Sequence, residues 1–190
     1  TLAVLARRNA RLRRMGTTDP LTGVYNRNGG DWMVRHYLEE HENGQALVLA
    51  VDIDNFKIIN DVYGHEAGDE ALCQFTRDMK ETFGRSAVIT RNGGDEFIIF
   101  CGYGWSRKVA EAIDRFTENP HLITYKGKEI RFSASLGLAR YPEHDKDYRS
   151  LCIKADYALY GAKLNGKSRW KEFDPELKLK DTLTQLGFHL

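Results

Sequence analysis

The sequence contains little cysteine, no excess of either charge and no long apolar run. Its three cysteines, Cys73, Cys101 and Cys152, lie far apart and form no C-x-x-C pair. This spacing argues against a disulfide framework or a zinc site and favours reduced thiols in a cytosolic domain. Lysine and arginine number 28 and aspartate and glutamate 27, so the net charge is +1. This balance indicates neither a nucleic-acid partner nor a membrane surface.

Segments that target or span a membrane are missing from the sequence as well. We find no apolar run long enough to cross a bilayer and no signal peptide. The chain begins with Thr1 rather than methionine, so we expect a fragment of a longer protein with an upstream sensor or membrane part. The expected location is the cytoplasm, either free or as the cytoplasmic part of a membrane-anchored protein.

The composition that is present suits one globular domain with short extensions. The 190 residues are 42% hydrophobic and 29% charged, an ordinary balance for a globular protein. Leu2, Leu5, Asn9 and Leu12 have heptad spacing, which fits a dimerising coil and a solvated amphipathic helix equally well. We divide the chain into three parts: 1–16, the end of a signalling or coiled-coil helix; 17–174, the folded domain; and 175–190, a tail or linker.

The order of helical and strand patterns predicts an α+β fold. The chain reads as helix, strand, two helices, hairpin, helix, hairpin, helix and strand. "QALVLAVDID" (45–54) is apolar until its two acids, which is typical of a buried central strand. "SAVITRNGGDEFIIFCG" (86–102) is predicted to be a hairpin with an Asn-Gly-Gly turn. We therefore predict a central, mostly antiparallel five-stranded sheet flanked by helices.

Two smaller breaks divide the second half of the chain. A second hairpin is predicted to turn at Lys126-Gly127. The last helix is predicted to end at Asn165-Gly166 and to be followed by a short strand.

Three or four acids are predicted to gather at one edge of the central sheet if the strands that carry them are neighbours. Asp52 and Asp54 end the first long strand, and Asp95 and Glu96 follow the tight turn of the central hairpin. Close carboxylates repel one another unless a cation lies between them, and hard oxygen ligands suit Mg²⁺ or Mn²⁺. Such a site most often serves phosphoryl or nucleotidyl transfer. A polar hairpin tip explains the pattern equally well, and for Asp54 we favour a helix cap.

"NGGDEF" (92–97) resembles the signature of the GGDEF family of diguanylate cyclases. Further segments between about Asp19 and Phe173 resemble the family's other motifs in the same order: "DPLTGVYNR", "VDIDNFKIINDVYGHEAGDEAL", "SASLGLARYP" and "KADYALYGAKLNGK". The resemblance implies a nucleotidyl-cyclase or palm-like fold and makes 17–174 a GGDEF catalytic domain. Family members condense two GTP into cyclic di-GMP with release of pyrophosphate, and each subunit of a homodimer holds one GTP.

The resemblance also implies a metal site and a catalytic pair. The metal ligands are Asp52, the Ile53 carbonyl, Asp95 and Glu96, with two Mg²⁺ or Mn²⁺ ions expected in each half-site. Glu96 either binds the metal or helps to deprotonate the attacking 3′-hydroxyl, which is a poor nucleophile without a metal or a base. The division of roles between Asp95 and Glu96 stays open at this point.

Three residues are implied to recognise the substrate base. Asn60 and Asp69 match the family's guanine-binding positions, and His65 lies where the family also contacts substrate. An amide both donates and accepts, and a carboxylate accepts from N1–H and the 2-amino group of guanine, a pattern that adenine lacks. Outside the matched motif, a helix-end asparagine, a first-turn acid and a surface histidine explain these residues as well.

The phosphates of GTP are expected to meet lysines and backbone amides. The candidates are Lys57, Lys163, Lys167 and the amides of Asn55 and Phe56 at a helix start. We predict Lys163 and Lys167 to lie one helical turn apart on one face, where cations at a helix C-terminus are the alternative. The family commonly has arginine at the position of Lys167. Lysine lacks the bidentate geometry of arginine, so we expect a lower nucleotide affinity.

The sequence departs from the family pattern just before the signature. Many members carry an inhibitory Arg-x-x-Asp site there, whereas this chain has Gly-Arg-Ser-Ala at 84–87. We therefore predict no product inhibition through that site. Arg91 is an additional candidate for contact with phosphate or product.

Three functions remain in competition at this stage. The first is an active diguanylate cyclase, and the second is a catalytically silent GTP-binding regulatory module. The intact acids Asp52, Asp95 and Glu96 argue against the second. A third is an enzyme with a mixed or adenine dinucleotide product, against which Asp69 argues.

Overall fold

The computed structural model describes residues 16–41, 43–84 and 86–176. The heptad pattern before Gly16, the tail after Glu176 and Arg85 lie outside these residues. The main helices are α1 (Arg27–Glu40), α2 (Phe56–Tyr63), α3 (His65–Phe83), α4 (Arg107–Glu118) and α5 (Tyr148–Leu164). The strands are β1 (Tyr25–Asn26), β2 (Ala46–Ile53), β3 (Val88–Gly93), β4 (Glu96–Cys101), β5 (His121–Tyr125), β6 (Lys128–Phe132), β7 (Ala134–Tyr141) and β8 (Trp170–Glu172). None of the helices in the described segments combines the length and the apolar composition needed to cross a membrane.

The central sheet confirms the predicted α+β class. Its order is β1-β3-β4-β2-β7-β8, with antiparallel pairing inside and parallel pairing of β1 and β8 at the two edges. The sheet has six strands rather than the predicted five, because the two-residue β1 pairs with β3 and is too short to leave a periodic pattern. The second hairpin turns at Lys126-Gly127 as predicted but forms its own two-stranded sheet, β5-β6.

Both faces of the central sheet are covered, which explains why β2 is apolar along its whole length. Leu47, Leu49 and Val51 point into a layer formed with α2, α3 and α4, and Val48 points into the layer formed with α1 and α5. Successive side chains of a strand alternate between faces. Asp52 is therefore directed to the same face as Val48, towards α5.

Phe75 of α3 is at the centre of the larger layer. It is fully buried, and its ring contacts those of Phe97, Phe116 and Phe132. Truncation of such a ring to alanine costs about 3–5 kcal/mol. This packing holds α3 against β4, α4 and the small hairpin, and so keeps the α2–α3 corner beside the end of β2.

Candidate functional site

Asp52, Asp95 and Glu96 lie near the point where β2 ends and β4 begins. Asp52 is the direct partner of Glu96 in the antiparallel pair, and Asp95 precedes Glu96 in the turn between β3 and β4. Side chains opposite each other on neighbouring strands lie within contact range, and like charges in such a pair are destabilising. The fold therefore places two acidic residues opposite each other on neighbouring strands, an arrangement that a nearby cation would stabilise.

The electrostatics of this edge reflect the crowding of negative charge. The pKa of Asp52 is raised to about 6, mainly by burial and also by the charges of Asp95 and Asp54, against the lowering effect of the hydrogen bond and charge of Lys163. Burial also raises the pKa of Asp95, which its own backbone N–H and Lys163 counteract. The charged form of both groups is thus held at a cost that a nearby cation reduces.

Lys163 supplies a positive charge at this edge. It belongs to the last turn of α5, and its Nζ lies 2.7 Å from Oδ1 of Asp52. The two groups border a cleft of about 150 Å³ whose polar lining also includes Asn92, Glu96, Asp156 and Tyr160.

Asp156 and Tyr160 were not among the site residues predicted from the sequence. The signal that could have found them is their spacing, since residues 156, 160 and 163 fall on one face of a helix. The face that carries Lys163 into the cleft necessarily brings the other two side chains with it.

Asp54 does not serve as the helix cap that we predicted. The cap position of α2 is Asn55, whose φ is 57° and whose side chain makes no capping hydrogen bond. The buried carboxylate of Asp54 instead accepts hydrogen bonds from the hydroxyls of Ser133 and Ser135 and from the backbone N–H of Ser168. Asp54 therefore ties the end of β2 to β7 and to the turn after α5.

The corner between α2 and α3 carries the residues predicted to recognise guanine. The chain turns there at Gly64, whose φ of 90° suits glycine. Asn60 is half-buried and lies against Gly68, where an added Cβ would come within 2.0 Å of Oδ1 of Asn60. His65 and Asp69 are exposed on the first turns of α3. The close approach of the two helices thus depends on the missing side chain at Gly68.

Two of the lysines predicted to contact phosphate, Lys163 and Lys167, reach the region around the end of β2 from different segments of the chain. α5 ends at Leu164, so the prediction that Lys167 shares a helix face with Lys163 is wrong. Lys167 follows the turn at Asn165-Gly166 in a left-handed conformation, and its Nζ donates to Oδ1 of Asn55 at 2.6 Å. The tight turn after the helix, rather than helical periodicity, directs Lys167 to the start of α2.

The remaining candidate residues near the end of β2 differ in how far their side chains are exposed to solvent. Lys57 is exposed on the first turn of α2, whereas the ring of Phe56 is partly buried against the core and lies near Gly68. The Ile53 side chain is buried in the core. Ile53 can therefore contribute only backbone groups to a ligand.

Arg91, the additional candidate for contact with phosphate or product, makes polar contacts within the domain. Its guanidinium donates to the Asp19 carboxylate and to the carbonyl of Gly94. It braces the signature turn against the loop before α1.

The arrangement of ligands is not that of a closed metal centre. Within residues 16–41, 43–84 and 86–176, no three carboxylate, imidazole or thiol side chains converge closely enough to hold a metal ion. Asp52 and Asp95 interact electrostatically, and Lys163 rather than a third acid lies against Asp52.

Comparison with known proteins agrees with the fold. The family model described as "Diguanylate cyclase, GGDEF domain" matches residues 16–169. The probable diguanylate cyclase DgcC of Escherichia coli (strain K12) is 36% identical over 172 residues, covering 89% of this chain and 46% of the relative. The cyclic di-GMP phosphodiesterase PdeR of the same strain is 34% identical over 173 residues, covering 90% of this chain and 26% of the relative. The chain spans less than half the length of these curated relatives.

A solved structure supports the same assignment at the level of fold. The crystal structure of the coiled coil and GGDEF domain of DgcB from Caulobacter crescentus, in complex with c-di-GMP, has a TM-score of 0.78 and is 23% identical. The match covers 90% of this chain and 93% of that chain. Because the family match extends over most of the 190 residues and includes the Gly-Gly-Asp-Glu-Phe turn, the chain belongs to the GGDEF domain family.

Proposed function

We propose that this chain is a diguanylate cyclase that condenses two GTP into cyclic di-GMP. Each 3′-oxygen forms a bond to the α-phosphorus of the other GTP. The bond from that phosphorus to the oxygen bridging the β-phosphorus breaks, so that two pyrophosphates leave. The observation that carries the proposal is the pairing of Asp52 with Glu96 across adjacent strands, with Asp95 in the adjoining turn and Lys163 beside them.

The carboxylates at this edge fit a divalent metal. They are hard oxygen donors, and burial raises the pKa of Asp52 and of Asp95, which marks a charge that a cation would stabilise. Asp52, Asp95, Glu96 and the Ile53 carbonyl would hold Mg²⁺ or Mn²⁺, with two ions expected in each half-site. When bound, the metal lowers the pKa of the attacking hydroxyl and offsets phosphate charge. Glu96, exposed at the rim of the cleft, is the candidate to accept the proton of the 3′-hydroxyl.

Base and phosphate recognition are assigned to the neighbouring elements. Asn60 and Asp69 would hydrogen-bond to guanine at the α2–α3 corner, and His65 lies on the same corner. Lys167 reaches Asn55 at the start of α2, and Lys163 reaches Asp52 near the end of β2. Together with Lys57 and the amides of Asn55 and Phe56, these lysines would contact the phosphates. A nucleotide spanning these groups would place its α-phosphate near the paired acids.

Two half-sites are needed because the product is symmetric. Each chain supplies one GTP and its acids, and the exposure of Asn92 and Glu96 leaves the cleft open to a second copy. A homodimer is therefore the proposed active form. We place the protein in the cytoplasm, where GTP is available and where its three free thiols suit the reducing environment.

The test uses the purified chain with GTP and Mg²⁺ over a range of protein concentrations, with products resolved by liquid chromatography and mass spectrometry. Cyclic di-GMP is expected, with a rate that rises faster than linearly with protein concentration if the dimer is weak. GTP that is bound but never converted, at any concentration, contradicts the proposal.

A second candidate is a GTP-binding regulatory module without turnover. The observation in its favour is that a relative named as a phosphodiesterase is nearly as similar to this chain as one named as a cyclase. The same assay separates the two, because the module retains GTP and forms no product.

A further inference from the structure

The ion pair between Lys163 and Asp52 places a lysine where the proposed metal would bind. Nζ of Lys163 lies 2.7 Å from Oδ1 of Asp52, and the Asp52 side chain is only 12% exposed. A carboxylate oxygen with so little free surface has few directions from which a second cation can approach. A metal ion beside the ammonium group would also meet its repulsion.

The position of Lys163 in the fold determines how its ammonium group can compete with a metal ion for Asp52. α5 packs along β7 and β2, so the base of the side chain is fixed while its long stem can redirect the ammonium. Nucleotide phosphates in the cleft would offer that ammonium a stronger partner than a single carboxylate, since they carry more charge.

We propose that Lys163 is a latch that neutralises Asp52 in the nucleotide-free protein and excludes the divalent cation until nucleotide phosphates draw the lysine away. This inference rests on the proposed function, because it assumes that Asp52 is a metal ligand and that GTP enters the same cleft. Its consequence is that metal binds with the nucleotide and only weakly ahead of it.

Lys167 is the control residue for Lys163. Its Nζ donates to Oδ1 of Asn55, a neutral amide, and it lies beyond the end of α5. Both lysines are therefore candidates for phosphate contact, but Lys163 is the one that pairs with a proposed metal ligand. Removal of either charge should weaken nucleotide binding, whereas only removal of the Lys163 charge should strengthen metal binding.

The experiment measures Mn²⁺ binding without nucleotide, by electron paramagnetic resonance of the free ion, for the 190-residue chain and three variants. Lys163→Gln is expected to lower the Kd for Mn²⁺ by about three- to tenfold, the range that loss of a competing partly buried ion pair allows. Lys163→Arg, which keeps the charge, and Lys167→Gln are expected to retain the Kd of the unmodified chain. An unchanged or higher Kd in Lys163→Gln overturns the latch, as does the absence of Mn²⁺ binding in every protein.

Two further measurements assign the effect to Asp52 and to the nucleotide. In the Asp52→Asn background, Lys163→Gln should no longer increase Mn²⁺ affinity, and a gain that persists there contradicts the mechanism. A non-hydrolysable GTP analogue should increase Mn²⁺ affinity more in the unmodified chain than in Lys163→Gln, because linkage between the two ligands is reciprocal. Equal increases in the two proteins refute the release step.

These readouts do not depend on product formation. A chain that makes no cyclic di-GMP but shows the Mn²⁺ pattern retains the latch and loses only the proposed activity. A chain that makes cyclic di-GMP but binds Mn²⁺ equally well with and without Lys163 retains the activity and loses only the latch.

Discussion

The guanidinium of Arg91 bridges the signature turn and the loop before α1. Its Nη1 lies 3.1 and 3.2 Å from the two carboxylate oxygens of Asp19, and its Nε lies 2.9 Å from the carbonyl oxygen of Gly94. Asp19 also accepts hydrogen bonds from the backbone and hydroxyl of Thr22. The chain that leads into the domain is thereby fastened to the turn that carries Asp95.

The Asp19 contact predicts a pH-dependent contribution to stability. Burial raises the pKa of Asp19, but the hydrogen bonds from Thr22 and Arg91 outweigh it and leave the pKa below its ordinary value of 3.8. A lowered pKa means that the stabilisation is present above about pH 4 and is lost as the pH falls through the folded-state pKa. Asp19→Asn should lower the free energy of unfolding by about 2 kcal/mol at pH 7 and by much less near pH 3.

Urea denaturation of both proteins at several pH values measures this difference. Glu111→Gln is the control, because it removes an exposed ion pair with Arg107 and should cost under about 1 kcal/mol. A penalty for Asp19→Asn that is constant from pH 7 to pH 3 contradicts the assignment.

Gly68→Ala should disturb the α2–α3 corner, which we propose binds guanine. The added Cβ would approach Oδ1 of Asn60 to 2.0 Å, so Asn60 must move or α2 and α3 must separate. We expect GTP affinity to fall by roughly tenfold or more, with a loss of stability of about 1–3 kcal/mol. Isothermal titration with a GTP analogue and thermal denaturation measure the two effects.

Gly161→Ala is the matched control for that substitution. Gly161 is also helical, but a Cβ there would meet only the flexible side chain of Lys171, at 3.3 Å. Alanine favours a helix over glycine by about 1 kcal/mol, so this variant should be as stable as the original chain or more so. Equal losses of GTP affinity in both variants would exclude a specific role for the Gly68 contact.

Asp69→Ser should relax the preference for guanine. A neutral hydroxyl no longer provides the two acceptor oxygens that match N1–H and the 2-amino group, so ATP should compete better. A competition assay with equal GTP and ATP measures the ratio of products, and Glu70→Gln on the same helix should leave that ratio unchanged. An unaltered GTP preference in Asp69→Ser shows that Asp69 does not select the base.

Glu96→Gln should separate binding from turnover. The side chain keeps its size but loses the charge and the basicity proposed to activate the 3′-hydroxyl. We expect GTP affinity to stay within a few-fold and cyclic di-GMP formation to fall by at least about 100-fold. Single-turnover kinetics combined with equilibrium binding measures both, and full activity in this variant refutes the role of Glu96.

Asp54→Asn tests whether the Asp54 carboxylate caps α2 or instead holds β2 to β7 and to the turn after α5, a role that we call the clamp. An asparagine serves as well as an aspartate at a helix N-cap, but it has one acceptor oxygen where Asp54 uses both carboxylate oxygens. The clamp therefore predicts a loss of about 1–3 kcal/mol in the free energy of unfolding. Chemical denaturation with Asp147→Asn, at the true cap of α5, provides the comparison, and equal small effects in both would favour a cap.

Much of the fold follows from local patterns. β2 and β4 are continuous apolar runs because both of their faces are buried, and the two-residue period then determines that Asp52 and Glu96 leave the sheet on the same side. The turns at Gly93-Gly94, Gly127 and Gly166 have positive φ, which glycine in the sequence already indicates. The order of helices and strands could be predicted for the same reason.

Other features depend on residues that only the folded chain brings together. Asp54 binds Ser133, Ser135 and Ser168, which are 79, 81 and 114 positions away, and its local context favoured a cap that does not form. β1 is defined by its pairing with β3 rather than by any pattern of its own.

Within the candidate site, too, some features depend on the local sequence and others on the tertiary structure. The types and spacing of Asp52, Asp95 and Glu96 are properties of the sequence, because strand period and turn chemistry act over a few residues. That Lys163 neutralises Asp52 and that Lys167 reaches Asn55 was decided by the tertiary structure, since long flexible side chains take the partners that distant backbone segments present.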